Sequence, residues 1–182
     1  MTATAPHATL VLGGARSGKS RIAEGLTAEL AGPGGQRVYV ATAEPFDDEL
    51  RARIAAHRAQ RGEGWTTIDA PLDVDAAIAA LARPGAAVLV ECLTLWLGNL
   101  MHHGRDVEAE TAGLIAALAA ARGPVVLVAN EVGLGIVPDN AMARAFRDHA
   151  GRVNQAVAAA SGRAILVAAG LPLALKGAVV TG

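Results

Sequence analysis

The chain has 182 residues, of which 52% are apolar and 18% charged, with a formal net charge of -1. Such a chain can bury a substantial core, which excludes a disordered protein, and its lack of a dense basic cluster excludes nucleic-acid binding as a main role. Its single cysteine, Cys92, excludes an internal disulfide and a cysteine-based zinc site.

Along the chain, residues 8–12 form an apolar, β-branched run with the length of a short buried strand. Directly after it, Gly13, four intervening residues (Gly14, Ala15, Arg16, Ser17), then Gly18, Lys19 and Ser20 complete the Walker A pattern G-x-x-x-x-G-K-[ST]. A helix is expected over 20–30, where Ile22, Ala23, Leu26 and Leu30 recur at helical spacing. Further strands are expected at 37–41, 65–68, 87–91, 125–129 and 164–168. Helices are expected at 46–61, 74–81, 106–121 and 140–161, with a helix-like stretch at 93–100. Most of these runs are continuous and apolar, as strands covered on both faces should be. Strand–helix alternation after a Walker A loop predicts an α/β fold. It is a mostly parallel sheet flanked by helices on both faces, the three-layer α/β/α arrangement of RecA-like phosphate-loop NTPases. No linker or repeat interrupts the chain, so residues 1–182 are expected to form one domain. The apolar stretch 164–175 contains Pro172 and falls short of the roughly 20 residues needed to span a bilayer. With no signal-peptide pattern at the start, a cytoplasmic protein without a membrane span is expected.

In such sheets ligands bind beyond the carboxyl ends of the strands. Here those ends carry Gly13 to Ser20, Ala41-Thr42-Ala43, Asp69, Glu91 and Asn130-Glu131. The glycines let successive N–H groups approach phosphate oxygens at a helix N-terminus; Lys19 would reach the outer phosphates, and Arg16 is a further cationic donor. Ser20 would hold Mg²⁺, and Glu91 stands where a Walker B carboxylate supports it; holding a substrate hydroxyl or a ribose is the other reading of Glu91. Leu50, Ile54 and His57 share one helical face, with Arg53 and Arg61 one turn either side of the histidine. Two readings stand for His57: a packed or rim residue, or a nucleophile whose neutral imidazole attacks phosphorus beside charge-neutralising arginines. His7, His102, His103 and His149 read as surface residues. Asn130-Glu131-Val132-Gly133 opens a Gly-rich loop that ends at Pro138, and it lacks the N-K-x-D pattern of guanine-reading switch proteins.

These blocks occur together in one known family. They are Gly13 to Ser20, Ala41-Thr42-Ala43, Asp47-Asp48-Glu49, Ala52-Arg53-Ile54, His57, Val90-Glu91-Cys92, Asn130-Glu131-Val132-Gly133 and Gly135-Ile136-Val137-Pro138. Arg144, Phe146-Arg147-Asp148 and Ala150-Gly151-Arg152-Val153-Asn154-Gln155 follow in order. In this the chain closely resembles the bifunctional adenosylcobinamide kinases / adenosylcobinamide-phosphate guanylyltransferases of cobalamin biosynthesis, from about residue 10 to 176. The resemblance implies phosphorylation of adenosylcobinamide with ATP or GTP. Transfer of GMP from GTP to adenosylcobinamide phosphate would follow, releasing pyrophosphate. It implies that His57 carries the guanylyl group. It implies nucleotide contacts at Gly13, Gly14, Ala15, Arg16, Ser17, Gly18, Lys19 and Ser20, at Ala41, Thr42 and Ala43, at Arg58, Ala59, Gln60 and Arg61, and at Asp69 and Glu91. Mg²⁺ would sit on Ser20 and Glu91, and the molecule would be a homo-oligomer, a propeller-like trimer. Two positions depart from the pattern: Ala56 stands where some members have a second histidine, and Asp69 where many have a glutamate.

Overall fold

The computed structural model describes residues 5–44 and 61–178. Seven strands form one sheet: β1 (Ala5–Gly13), β2 (Gln36–Ala41), β3 (Trp65–Asp69), β4 (Ala86–Glu91), β5 (Val125–Asn130), β6 (Ser161–Ala168) and β7 (Leu171–Lys176). Five helices connect the described strands: α1 (Lys19–Ala31), α2 (Val74–Leu81), α3 (Leu93–His102), α4 (Val107–Ala120) and α5 (Ala141–Ala160). The strand order is β3-β2-β4-β5-β1-β6-β7, parallel throughout except for β7. Of the expected helix at 46–61, all but Arg61 lies outside the described residues.

Strand periodicity sorts the core into two layers. Leu10, Leu12, Val38, Val40, Val88, Val90, Val125 and Leu127 point to the face covered by α2 to α5, together with Ile78, Trp96, Leu100, Leu114 and Val153. The alternate residues Val11, Tyr39, Leu89, Val126, Val128, Ile165 and Val167 point to the other face, against Ala23 and Leu26 of α1. Because side chains alternate sides with a period of two, both sets must be apolar, and this makes the strands read as unbroken hydrophobic runs. The expected three-layer phosphate-loop fold is therefore present.

The helix starts explain themselves locally. Asp106 caps α4, its Oδ1 accepting from the N–H groups of Glu108 at 2.9 Å and Ala109 at 3.2 Å. Asn140 caps α5 through Ala143 N at 2.7 Å. Each satisfies first-turn donors that have no partner within the helix. In contrast, α1 starts from Gly18 in the left-handed region (φ 93°), with no side-chain cap and no acidic residue in its first turn. Its leading N–H groups and positive dipole end are thus left facing outward.

Candidate active site

The phosphate loop turns sharply at the end of β1, where Gly13 pairs with Asn130 on one side and Val167 on the other. A Cβ at Gly13 would lie 2.4 Å from Ser17 Oγ and 2.7 Å from the Val167 carbonyl oxygen, so only glycine fits there. The loop closes on itself through Ser17 N–H donating to the Gly14 carbonyl at 3.2 Å. It is held from outside by the β6–β7 turn: Gly170 N–H donates to the Ser17 carbonyl at 2.8 Å. Lys19 is almost fully buried, and its Nζ donates to the Gly14 carbonyl at 3.2 Å, which keeps the ammonium over the loop. Arg16 stands exposed on the crown with φ 56°.

Glu91 meets this loop from β4, two strands away. Ser20 Oγ, in the first turn of α1, donates to Glu91 Oε1 at 2.5 Å. The register puts Asp69, Ala41 and Glu91 level at the ends of β3, β2 and β4. Strand parity turns all three to the α1 side, the side on which the phosphate loop opens. At about 4.8 Å per strand, Asp69 is roughly 10 Å across the sheet from Glu91, at an exposed rim.

Thr42 ties the strand ends together. Its side chain is fully buried; Oγ1 donates to the Cys92 carbonyl at 2.9 Å and accepts from Cys92 N–H at 2.7 Å. Its N–H donates to the Glu91 carbonyl at 3.1 Å. Asn99 of α3 donates to both the Thr42 carbonyl (2.7 Å) and the Pro71 carbonyl (2.9 Å). Within the segment 41–43, then, the threonine side chain positions Glu91. Nothing in the spacing of the sequence distinguishes Thr42 and Asn99 as this joint, since both are ordinary polar residues until the strands are paired.

Arg61 lies on the α1 face below the strand ends. Its guanidinium stacks on the Tyr39 ring, 3.5 Å from the centroid, and donates to Thr67 Oγ1 at 2.9 Å. Tyr39 is a further residue that sequence reading passed over, because an apolar strand absorbs a tyrosine without comment. Burial first, and then the Glu91 carboxylate, push its phenol well above the usual range and keep it neutral beside the site. Burial likewise pushes the Cys92 thiol up, which leaves it unreactive. His57, Arg58, Ala59 and Gln60 lie outside the described residues.

The two blocks late in the chain also converge here. Asn130 N–H donates to Thr94 Oγ1 at 2.7 Å, Glu131 N–H donates to the Gly13 carbonyl at 3.1 Å, and Asn154 Nδ2 donates to the Asn130 carbonyl at 3.4 Å. Two buried side-chain oxygens, Ser17 Oγ and Asn130 Oδ1, have no hydrogen-bond partner among the described residues. His103 pairs with Glu44 at 3.2 Å. The described residues hold no group of three or more His, Cys, Asp or Glu side chains set to bind a metal. No described helix is long and apolar enough to cross a membrane.

Comparison with known proteins agrees with this geometry. A family profile described as "CobU: Cobinamide kinase / cobinamide phosphate guanyltransferase" matches residues 9–175. The chain is 44% identical to the bifunctional adenosylcobalamin biosynthesis protein CobP of Pseudomonas aeruginosa, over 92% of this chain and 96% of that protein. It is 44% identical to the bifunctional adenosylcobalamin biosynthesis protein CobU of Escherichia coli and 42% identical to its counterpart in Salmonella typhimurium, in each case over 92% of this chain and 98% of the relative. With the phosphate loop, its carboxylate partner and the late asparagine-containing blocks gathered at one sheet edge, the chain belongs to the cobinamide kinase / cobinamide phosphate guanyltransferase family, the bifunctional transferases of cobalamin biosynthesis.

Proposed function

We propose that this chain carries out both reactions at the phosphate-loop edge of the sheet, with His57 as the guanylyl carrier. The observation that supports the reading best is the Ser20–Glu91 contact of 2.5 Å beside Lys19 and the open N-terminus of α1. These are the groups that a triphosphate needs: backbone donors, a cation and a pair of hard oxygens. Ser20 and Glu91 fit Mg²⁺, which takes one or two protein oxygens and fills its shell from phosphates and water. When bound, Mg²⁺ would neutralise charge that builds up on the phosphates.

In the kinase step the cobinamide hydroxyl oxygen attacks the γ-phosphorus of ATP or GTP. The bond to the β-phosphate oxygen breaks, the hydroxyl proton is lost and a nucleoside diphosphate departs. Lys19 and the loop N–H groups hold the phosphates in line and stabilise the charge on the leaving side. In the transfer step the imidazole of His57 attacks the α-phosphorus of GTP and pyrophosphate leaves. A phosphate oxygen of adenosylcobinamide phosphate then displaces the histidine, which gives adenosylcobinamide-GDP. A covalent intermediate divides one difficult transfer into two easier ones. Asp69, at the exposed rim on the same side, would contact the nucleoside rather than its phosphates.

Labelling tests this directly. The protein is incubated with α-³²P-GTP or γ-³²P-GTP and Mg²⁺, without cobinamide, as wild type and as His57→Ala. Acid-labile protein label is expected from the α-phosphate only, and it should vanish in the variant. Absence of α-label from protein that still phosphorylates cobinamide would leave a kinase alone.

A further inference from the structure

A cleft of about 410 Å³ lies on the face of the sheet opposite α1, between α3 and α5. Thr94, Leu95, Gly98, Asn99 and His102 of α3 line it with Phe146 of α5, and its surface is mostly apolar. Leu95 is 42% exposed, although it belongs to the buried first turn of a core helix. Gly98 contributes no side chain, and a Cβ there would come no nearer than 3.9 Å to the Phe146 ring, so the space is open. One turn before Phe146 on α5, Met142 is 76% exposed and extends the apolar surface outward.

The position of the cleft is as informative as its lining. Thr94 reaches the end of β5 through its 2.7 Å hydrogen bond from Asn130, and Asn130 is in register with Gly13 of the phosphate loop. The cleft therefore opens onto the same strand ends as the phosphate loop, from the other face. The nucleotide approaches on the α1 side; an acceptor seated on the α3–α5 side meets it across the sheet edge.

We propose that this cleft, with Leu95, Gly98 and Phe146 as its core, binds an edge of the corrin macrocycle of cobinamide. The inference rests on the proposed function above. A corrin is a broad, nearly flat ring with methylated, apolar faces, larger than the cleft itself. Leu95, the Phe146 ring and Met142 offer it apolar contact, and Thr94, Asn99 and His102 are the polar residues of the lining. Apolar lining with a few placed polar groups is the usual make-up of a small-molecule site.

Two variants test this without threatening the fold. Gly98→Leu fills the cleft from a helical position where leucine is the better helix former, and Leu95→Asp places a charge on a half-exposed wall. Cobinamide affinity is read by equilibrium dialysis through the visible absorbance of the corrin, beside GTP affinity and the solution mass. Both variants should bind cobinamide about tenfold or more weakly, with GTP affinity and mass unchanged. Unchanged cobinamide affinity in both variants overturns the proposal; a changed mass with unchanged affinity assigns the cleft to contact between subunits instead. Wild-type protein that binds GTP but neither binds nor phosphorylates cobinamide would overturn the proposed function itself, and this inference with it.

Discussion

A serine hydroxyl held 2.5 Å from a carboxylate couples Ser20 to Glu91, and on the proposed function the two would act as one unit on a bound Mg²⁺ rather than as two contributions. Removing a single preorganised electrostatic group from a transferase site costs about 100-fold or more in rate. Ser20→Ala and Glu91→Gln should each lower kcat/KM for cobinamide phosphorylation by about that factor. If the two hold one cation together, as proposed, the double variant should be no worse than the more damaged single. Steady-state kinetics on the three proteins decides it: a double variant whose loss is the product of the two singles would show independent roles. Gly13 makes the opposite kind of case. There the requirement is for empty space, since any Cβ runs into Ser17 and the Val167 backbone.

Between elements, the joint that sets Glu91 is built from Thr42 and Asn99, which lock the ends of β2 and β4 to α3 and to the chain at Pro71. Asn99→Ala leaves two carbonyls without their donor, one of them buried; each such loss costs about 1–3 kcal/mol. Denaturant unfolding should show a destabilisation of about 2–4 kcal/mol at constant m, and phosphoryl transfer should fall through kcat as Glu91 shifts. A stability loss with full activity would mean that the joint supports the fold alone. This joint also marks the limit of what sequence could reveal. The phosphate loop was legible because its glycines, lysine and serine are close in sequence and obey a backbone rule. Most of the parallel strands were legible because burial on both faces makes continuous apolar runs; β3 (Trp65–Asp69), mostly exposed, was legible from its tryptophan and β-branched residues instead. Thr42 was legible as a strand-end site residue but not as this joint, and Asn99 and Tyr39 were not legible at all, because these roles come from partners 50 to 57 residues away. The strand β7 was merged into the apolar stretch before it. Pro172 reads there as a break, yet proline is tolerated where a strand ends the sheet and its missing N–H is not needed.

At the scale of the whole molecule, β7 also bears on assembly. Every residue of Leu171–Lys176 is exposed, including Leu171 at 71%, Leu173 at 59% and Leu175 at 55%. Soluble monomers rarely leave such a row of leucines bare, and a strand that ends a sheet presents unpaired backbone groups besides. Lys176 does little to shield it, because its ammonium is folded back onto the Ala158 and Ala159 carbonyls at the end of α5. The family resemblance implies a trimer, and this edge is one described surface suited to a contact between copies. Multi-angle light scattering should give the mass of three chains for the wild type. Leu173→Glu, placing a charge in the middle of the row, should shift the mass towards that of one chain. Leu173 pairs with Leu166, which faces the α2–α5 layer, so the substitution points away from the face that carries Ser20 and Glu91, and β6, β1 and β5 separate it from β4. Guanylylation of the dissociated protein by GTP alone should therefore survive if each subunit holds a complete nucleotide site. Loss of the α-label together with the trimer would instead mean that a neighbouring subunit completes it.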